Sequence, residues 1–404
     1  MHILFVHQNF PAQFGHIASY LVKKHGIRCT FVSQQPPGHF DGIERIQYHI
    51  QGGATQQTHY CSRTFENAVW HSYAVYEAMR ARPDLKPDLV VAHSGFLTTT
   101  FLQELYRCPV VNYFEYYYWT VGSDMDFRPD FPCTQINQLR ARIRNAPLLL
   151  DLDACDLGYS PTQWQRDRLP KLYHDKVRVI FDGVDTQLWR PRPNFPRRIG
   201  NWNVPEGVRV VTYVARGMES LRGFDIFMKM AKVLGNRRKD VVFVVVGQDR
   251  IVYGGDNEII GSRTFKEWVL AQDQYDLSRF HFTGLLPTNV LAELFAVSDL
   301  HVYLTVPFVL SWSMMNALAC GTTVLASDTG PVREMIEHGR NGLLVDFFDI
   351  EGLAATASKV LDSPSDYKPL GQAGVEMIHV KYSLEVCLPQ MLKLYQDALS
   401  RRLK

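Results

Sequence analysis

Short apolar runs alternate along this chain with longer stretches whose apolar positions recur at helical spacing. His2-Ile-Leu-Phe-Val6, Arg28-Cys-Thr-Phe-Val32, Leu89-Val-Val-Ala92, Val110-Val-Asn-Tyr-Phe114 and Val177-Arg-Val-Ile180 read as buried strands. Between them, Ile17-Ala-Ser-Tyr-Leu-Val-Lys-Lys24 and the segment 64–81 have the period of amphipathic helices. The segment Trp189-Arg-Pro-Arg-Pro-Asn-Phe-Pro-Arg-Arg198, rich in proline and arginine, interrupts the alternation and reads as a connector. Beyond it the pattern restarts. Val208-Arg-Val-Val-Thr-Tyr-Val214 is a predicted strand, and Phe224-Asp-Ile-Phe-Met-Lys-Met-Ala-Lys-Val-Leu234 a predicted helix. Strand–helix alternation of this kind is the signature of parallel α/β units. The expected organisation is an α/β domain over 1–190, a connector over 191–200, a second α/β domain over 201–383 and a terminal helical segment over 384–404.

Composition bounds the function without naming it. The 404 residues are 46% hydrophobic and 21% charged, which is globular, and suffice for two cores. A formal net charge of +2 gives no general attraction to nucleic acid, so no nucleic-acid partner is expected. No apolar run approaches the roughly 18 residues of a spanning helix, and no signal-peptide pattern opens the sequence. Seven cysteines, with no Cys-x-x-Cys pair and an odd count, suit reduced thiols in a cytoplasm. The basic runs Arg140-Ala-Arg-Ile-Arg144 and Arg237-Arg-Lys239 are either solvated helix faces or points of peripheral contact at the inner face of a membrane.

The chemistry concentrates in Tyr213-Val-Ala-Arg-Gly-Met-Glu-Ser-Leu-Arg-Gly-Phe-Asp225. Arg216 and Arg222 fall at a strand-to-helix junction, where free amides and the helix dipole already favour an anion. Arginine adds a planar donor fork that matches phosphate oxygens. A nicotinamide-dependent oxidoreductase would need Gly-x-Gly-x-x-Gly after a strand. The turn His7-Gln-Asn-Phe-Pro-Ala-Gln-Phe-Gly-His16 holds one glycine and Gly247 stands alone, so that reading fails, and the Walker motif is absent. Histidines and cysteines do not cluster at metal-ligand spacing, so no metal or cofactor is expected.

Read in order, Ala215-Arg216, Arg222-Gly223, Val244-Val-Val-Gly247, Phe282-Thr-Gly284, Leu294-Phe-Ala-Val-Ser-Asp-Leu-His-Val-Tyr-Leu304, Ala317-Leu-Ala-Cys-Gly-Thr-Thr-Val-Leu-Ala-Ser-Asp328 and Asn341-Gly-Leu-Leu-Val345 resemble the family 4 retaining glycosyltransferases. The resemblance spans nearly the whole chain. It implies the GT-B architecture, two Rossmann-like domains with parallel sheets facing a central cleft, and a nucleotide-diphospho-sugar donor, with uridine favoured as the commonest base in that family. It also implies that Arg216 and Arg222 hold the donor diphosphate, and that the terminal helix crosses back onto the first domain.

The family's Glu-x7-Glu motif is absent. Aligned on Ala317-Leu-Ala-Cys-Gly321, its two positions hold Phe308 and Asn316. Asn316 retains an acceptor oxygen without formal charge. Ser311, Ser313 and Gly247 complete the expected donor sugar and ribose contacts, while Trp312, Met314 and Met315 are expected to pack in the core. In the first domain Glu115 falls where relatives carry a histidine after a strand. A carboxylate there can hold a sugar hydroxyl, stabilise an oxocarbenium-like centre or accept a proton; an ion pair with a loop arginine is the alternative. His93 ends another strand as a second catalytic candidate. His16, Tyr113 and Tyr116 are expected at the acceptor side, where the aromatic run 113–119 precedes Asp124, Asp126 and Asp130. The implied activity is transfer to a carbohydrate, lipid-linked or small-molecule hydroxyl acceptor, as in polysaccharide or glycoconjugate assembly. A catalytically silent nucleotide-sugar-binding or assembly protein, or an epimerase, is the competing expectation.

Overall fold

A computed structural model describes residues 1–96 and 99–401. The chain forms two compact units, one of Met1–Val121, Cys133–Gly183 and the chain from Leu384 onward, the other of Gly122–Pro132 and Val184–Ser383. The short excursion 122–132 is thus part of the second unit, although it lies far upstream of the 191–200 connector.

The first unit is built on eight strands: β1 (His2–Val6), β2 (Arg28–Ser33), β3 (Gly38–Phe40), β4 (Ile43–Gln47), β5 (Leu89–His93), β6 (Val110–Tyr113), β7 (Leu157–Ser160) and β8 (Val177–Val179). Their order is β3-β4-β2-β1-β5-β6-β7-β8, parallel throughout except for the β3–β4 pair. Every residue of β1, β5, β6 and β7 is buried, as expected of parallel strands covered on both faces. The chain runs outward from β1 to β4 and then restarts at β5 on the other side of β1. The order therefore reverses between β1 and β5, and the carboxyl ends of these two strands flank the crevice where open α/β sheets bind ligands. The final helix, Leu384–Arg401, packs in this unit, with Met391, Leu394, Tyr395 and Ala398 joining Ile3, Phe5 and Phe14 in one core. The expected helical segment runs to 404, and its last three residues lie outside the described ones.

The second unit holds the small pair β9 (Arg198–Ile199) and β10 (Trp202–Asn203), and the strands β11 (Arg209–Gly217), β12 (Val241–Gln248), β13 (Phe280–Gly284), β14 (Leu300–Tyr303), β15 (Val324–Ser327) and β16 (Leu343–Val345). The larger sheet is all parallel, in the order β13-β12-β11-β14-β15-β16, so its reversal lies between β11 and β14. The expected helix after β11 spans Phe224–Arg237 and buries Phe224, Phe227, Met228, Met230, Ala231 and Leu234 at helical spacing. Each large side chain among these stabilises the fold by roughly 1.5–3 kcal/mol. That helix is entered through Gly223, whose φ of 61° lies in the left-handed region. A Cβ there would also stand 2.7 Å from the Leu304 Cβ, so only glycine fits the junction. Two Rossmann-like α/β units with parallel sheets, as the resemblance implied, are what the chain forms.

Candidate functional site

The second unit gathers a cationic site at its strand reversal. Arg216 is the penultimate residue of β11 and is exposed, with no hydrogen-bond or ion-pair partner among the described residues. Arg222 ends a short 3-10 turn, Ser220–Arg222, and is only 4% exposed. Its Nη1 donates to Thr305 Oγ1 at 3.0 Å and to the Val309 carbonyl at 2.8 Å, both in the loop after β14. The guanidinium faces the rings of Tyr253 and Phe308, with centroids 5.4 and 5.5 Å away. No carboxylate pairs with it among the described residues. A buried cation costs free energy unless an opposite charge compensates it. Aromatic faces and neutral acceptors offset only part of that cost, which leaves the site with an unmet preference for an anion.

Phe308, the residue expected from the sequence at the first motif position, presents its ring to Arg222. Asn316, at the second motif position, lies in the helix Trp312–Ala319, is 8% exposed, and its side-chain amide makes no hydrogen bond among the described residues. Ser311 caps that helix, accepting from the Ser313 amide at 3.4 Å, and its own amide donates to the Tyr303 hydroxyl at 2.7 Å. The Ser313 hydroxyl lies 3.2 Å from that of Ser311. Met314 and Met315 are core residues, as expected, whereas Trp312 is exposed. Gly247 has a φ of 155°, and a Cβ there would meet the Ala215 carbonyl oxygen at 2.7 Å. Its glycine therefore lets β12 approach the backbone just before Arg216.

Three acidic residues that sequence reasoning passed over build this site. Glu219 is fully buried, and its Oε2 accepts the backbone amides of Val252, Tyr253 and Gly254 at 3.0, 2.8 and 3.0 Å. It thereby ties the loop carrying Tyr253 to the turn carrying Arg222. Asp256 accepts from the Ser220 amide at 2.8 Å and from its hydroxyl at 2.5 Å; burial pushes its carboxyl above the usual range, opposed by these two bonds. Asp225, in the first turn of the 224–237 helix, is paired with Arg128 of the 122–132 excursion. Only Glu219 and Asp225 carried a sequence signal, their place inside the arginine motif.

In the first unit a polar cluster collects at the carboxyl ends of β1, β5, β6 and β8. His93 is 7% exposed; its Nδ1 lies 2.7 Å from the Ser94 carbonyl, which can only accept, so Nδ1 carries a proton. Its Nε2 is 3.4 Å from Glu115 Oε2. Glu115 is half-buried, and Gln13 Nε2 donates to its Oε1 at 3.4 Å. The carboxylate thus lies against His93, the other catalytic candidate. His7, unassigned from sequence, sets its ring 5.1 Å edge-on to that of His93. Its Nδ1 accepts from the Asn9 amide at 2.8 Å, and burial, aided by His93, holds its pKa down to about 3, so His7 is neutral.

Tyr113, expected at the acceptor side, is a core side chain instead, 1% exposed between Phe14, His93 and Tyr159. Its hydroxyl donates to Asp182 Oδ2 at 3.3 Å. The cause is its position inside a strand covered on both faces. Asp182 is itself 5% exposed, and its Oδ1 has no hydrogen-bond partner among the described residues. Burial, reinforced by the Glu115 charge, pushes its pKa up to about 7, against the Tyr113 bond and the charge of His93. Tyr116 is 8% exposed and packs against Tyr118 and Trp164. His16 is exposed in the first turn of the helix Gly15–His25. Among the described residues no group of three or more histidines, cysteines and acids is placed to hold a metal, and no helix is long and apolar enough to cross a membrane.

Two Rossmann-like units, each with its strand order reversing beside a polar crevice, are the arrangement of the GT-B class. Residues 25–189 match the family model described as glycosyl transferase family 4 group, and residues 195–377 the one described as glycosyl transferases group 1. The chain belongs to the family 4 glycosyltransferases. It is 25% identical over 346 residues to a D-inositol 3-phosphate glycosyltransferase of Thermobispora bispora, covering 79% of this chain and 78% of that one. Among solved structures it is similar to sucrose-phosphate synthase of Thermosynechococcus elongatus, with a TM-score of 0.74 and 18% identity over 99% of this chain and 100% of that one. It also resembles Anabaena HepE in complex with UDP-glucose, with a TM-score of 0.70 and 16% identity over 98% and 100% of the two chains.

Proposed function

We propose that this glycosyltransferase moves a sugar from a uridine diphospho-sugar to a hydroxyl of a carbohydrate, lipid-linked or small-molecule acceptor, with retention of configuration. The observation that carries the reading is Arg222, a nearly buried guanidinium with no carboxylate partner among the described residues. Together with exposed Arg216 it supplies two fixed positive charges beside the β11–β14 reversal, suited to a diphosphate. The HepE structure in complex with UDP-glucose supports trying uridine donors first.

In this mechanism the bond between the anomeric carbon and the diphosphate oxygen breaks, and the bond from that carbon to the acceptor oxygen forms on the same face. The acceptor's proton passes to a phosphate oxygen of the departing nucleotide. Arg216 and Arg222 stabilise the negative charge that develops there. Asn316 accepts a hydrogen bond from the donor's hydroxyls. Glu115, held by His93, contacts the transferring sugar or its acceptor and stabilises positive charge at the anomeric centre. Calorimetry against a panel of nucleotide sugars, followed by nucleotide release with a broad set of acceptors, tests the proposal. Saturable donor binding and acceptor-dependent release are expected; absence of both across the panel rejects it.

A further inference from the structure

The helix Gln135–Ala154 of the first unit buries Ala141, Asn145, Leu148 and Leu152, as a surface helix should. Its opposite face departs from the usual polar pattern. Ile136, Leu139, Ile143 and Leu150 are 42%, 55%, 40% and 47% exposed. At about 100° per residue these four fall within about 60° of arc, and at about 1.5 Å per residue they form a stripe about 21 Å long. Single exposed apolar residues need no explanation, but Ile136, Leu139 and Ile143 on successive turns, with Leu150 two turns on past buried Pro147, make a row on one face that marks a surface that meets something.

The charges around the stripe identify its partner. Arg140, Arg142 and Arg144 lie on the same helix, and Arg63 starts the helix Arg63–Arg80 beside it. None of the four makes an ion pair among the described residues. Arg140 and Arg63 are braced by the Tyr60 ring, at 4.6 and 5.7 Å, and Arg144 by the Tyr118 ring at 3.9 Å. Four uncompensated cations thus border an aliphatic ridge, with one exposed carboxylate, Asp153, a turn beyond Leu150. A second copy of this chain would set these cations against their own duplicates. A protein partner is expected to engage aromatic anchors, and the ridge has none. An anionic bilayer matches both features, taking the aliphatic side chains into the headgroup boundary and the guanidiniums onto lipid phosphates.

We propose that the 135–154 helix is a docking surface for an anionic lipid bilayer. It does not depend on the donor site, because the helix carries none of the residues assigned to transfer. The test is co-sedimentation of the whole chain with phosphatidylcholine vesicles, with and without phosphatidylglycerol, at low and high salt. Binding is expected only with phosphatidylglycerol, weakening as salt rises. Replacing both Leu139→Gln and Ile143→Gln should lower it by roughly tenfold or more. Arg142→Glu should lower it at low salt. These side chains are exposed, so melting temperature and turnover with a water-soluble acceptor should be unchanged. A wild-type chain that stays in the supernatant with phosphatidylglycerol vesicles overturns the proposal, as does a double variant that sediments like wild type. Light scattering that finds a wild-type dimer and a monomeric double variant overturns it too, assigning the face to a second copy.

Discussion

The guanidinium of Arg128 grips the carboxylate of Asp225 with both arms, Nη1 on Oδ1 at 2.8 Å and Nη2 on Oδ2 at 2.7 Å, across 97 residues of sequence. The pair is 3% and 2% exposed, and Nη1 also donates to the Ser220 carbonyl at 3.0 Å. The excursion 122–132 is thereby fastened to the turn that carries Arg222. Removing one partner of a buried pair strands the other charge, so Arg128→Met is expected to cost roughly 3–5 kcal/mol. Denaturant unfolding of Arg128→Met, Asp225→Asn and the double variant measures it, and the double should cost less than the sum of the singles.

Arg216→Ala and Arg222→Ala should each weaken donor binding by roughly 1.5–3 kcal/mol, the range of hydrogen bonds to charged groups. Arg222→Lys keeps the charge and loses the fork, giving a smaller loss. Calorimetry with UDP and a UDP-sugar reads both, and unchanged affinity in both alanine variants would remove the arginines from the donor site.

Asn316 separates adaptation from loss of function at the second motif position. Its amide makes no hydrogen bond among the described residues at 8% exposure, so Asn316→Ala should weaken donor binding. Asn316→Glu should preserve or strengthen it by making the bond to a donor hydroxyl charge-assisted. The reverse order of affinities would show that the side chain does not touch the donor.

Glu115→Gln preserves shape and the contact with Gln13 while removing the charge and the pairing with His93. Turnover should fall on the order of 10²-fold, within the range of a positioned charge or proton acceptor. Nucleotide diphosphate binding should stay at the wild-type level. Steady-state kinetics beside calorimetry makes the comparison.

Asp182 makes stability depend on pH. Its native pKa, about 7, is above that of an unfolded aspartate, about 3.9. Between these values the native state binds the proton more tightly, so this group's contribution falls as pH rises, by roughly 1.4 kcal/mol per pH unit at most. Below about pH 4 both states are protonated and the slope vanishes. Asp182→Asn should flatten the fall, and denaturation from pH 4 to 8 is the measurement.

Much of the local structure was legible from one sequence. The strand runs fell in place because parallel strands buried on both faces are nearly continuous apolar segments, as Ile3-Leu-Phe-Val6 and Val244-Val-Val show. The helix read over 224–234 followed from its period and runs to Arg237 in the structure. Arg216 and Arg222 were legible because their chemistry is local, two donor forks at a strand-to-helix junction.

Partnership across the chain was not legible. Nothing within 122–132 shows that Arg128 will pair with Asp225, and nothing around Asp182 shows that Tyr113 will donate to it across 69 residues. Tyr113 sits among aromatics that sequence reads equally as sugar-stacking or core, and β6, covered on both faces, places it in the core. The sequence by itself determined the α/β alternation and the cationic junction, since each rests on neighbours a few residues apart. Only the tertiary structure decided which charges are compensated. Arg128 meets a buried carboxylate and Arg222 meets aromatic rings, because burial and pairing depend on which loops the β11–β16 sheet brings to one edge.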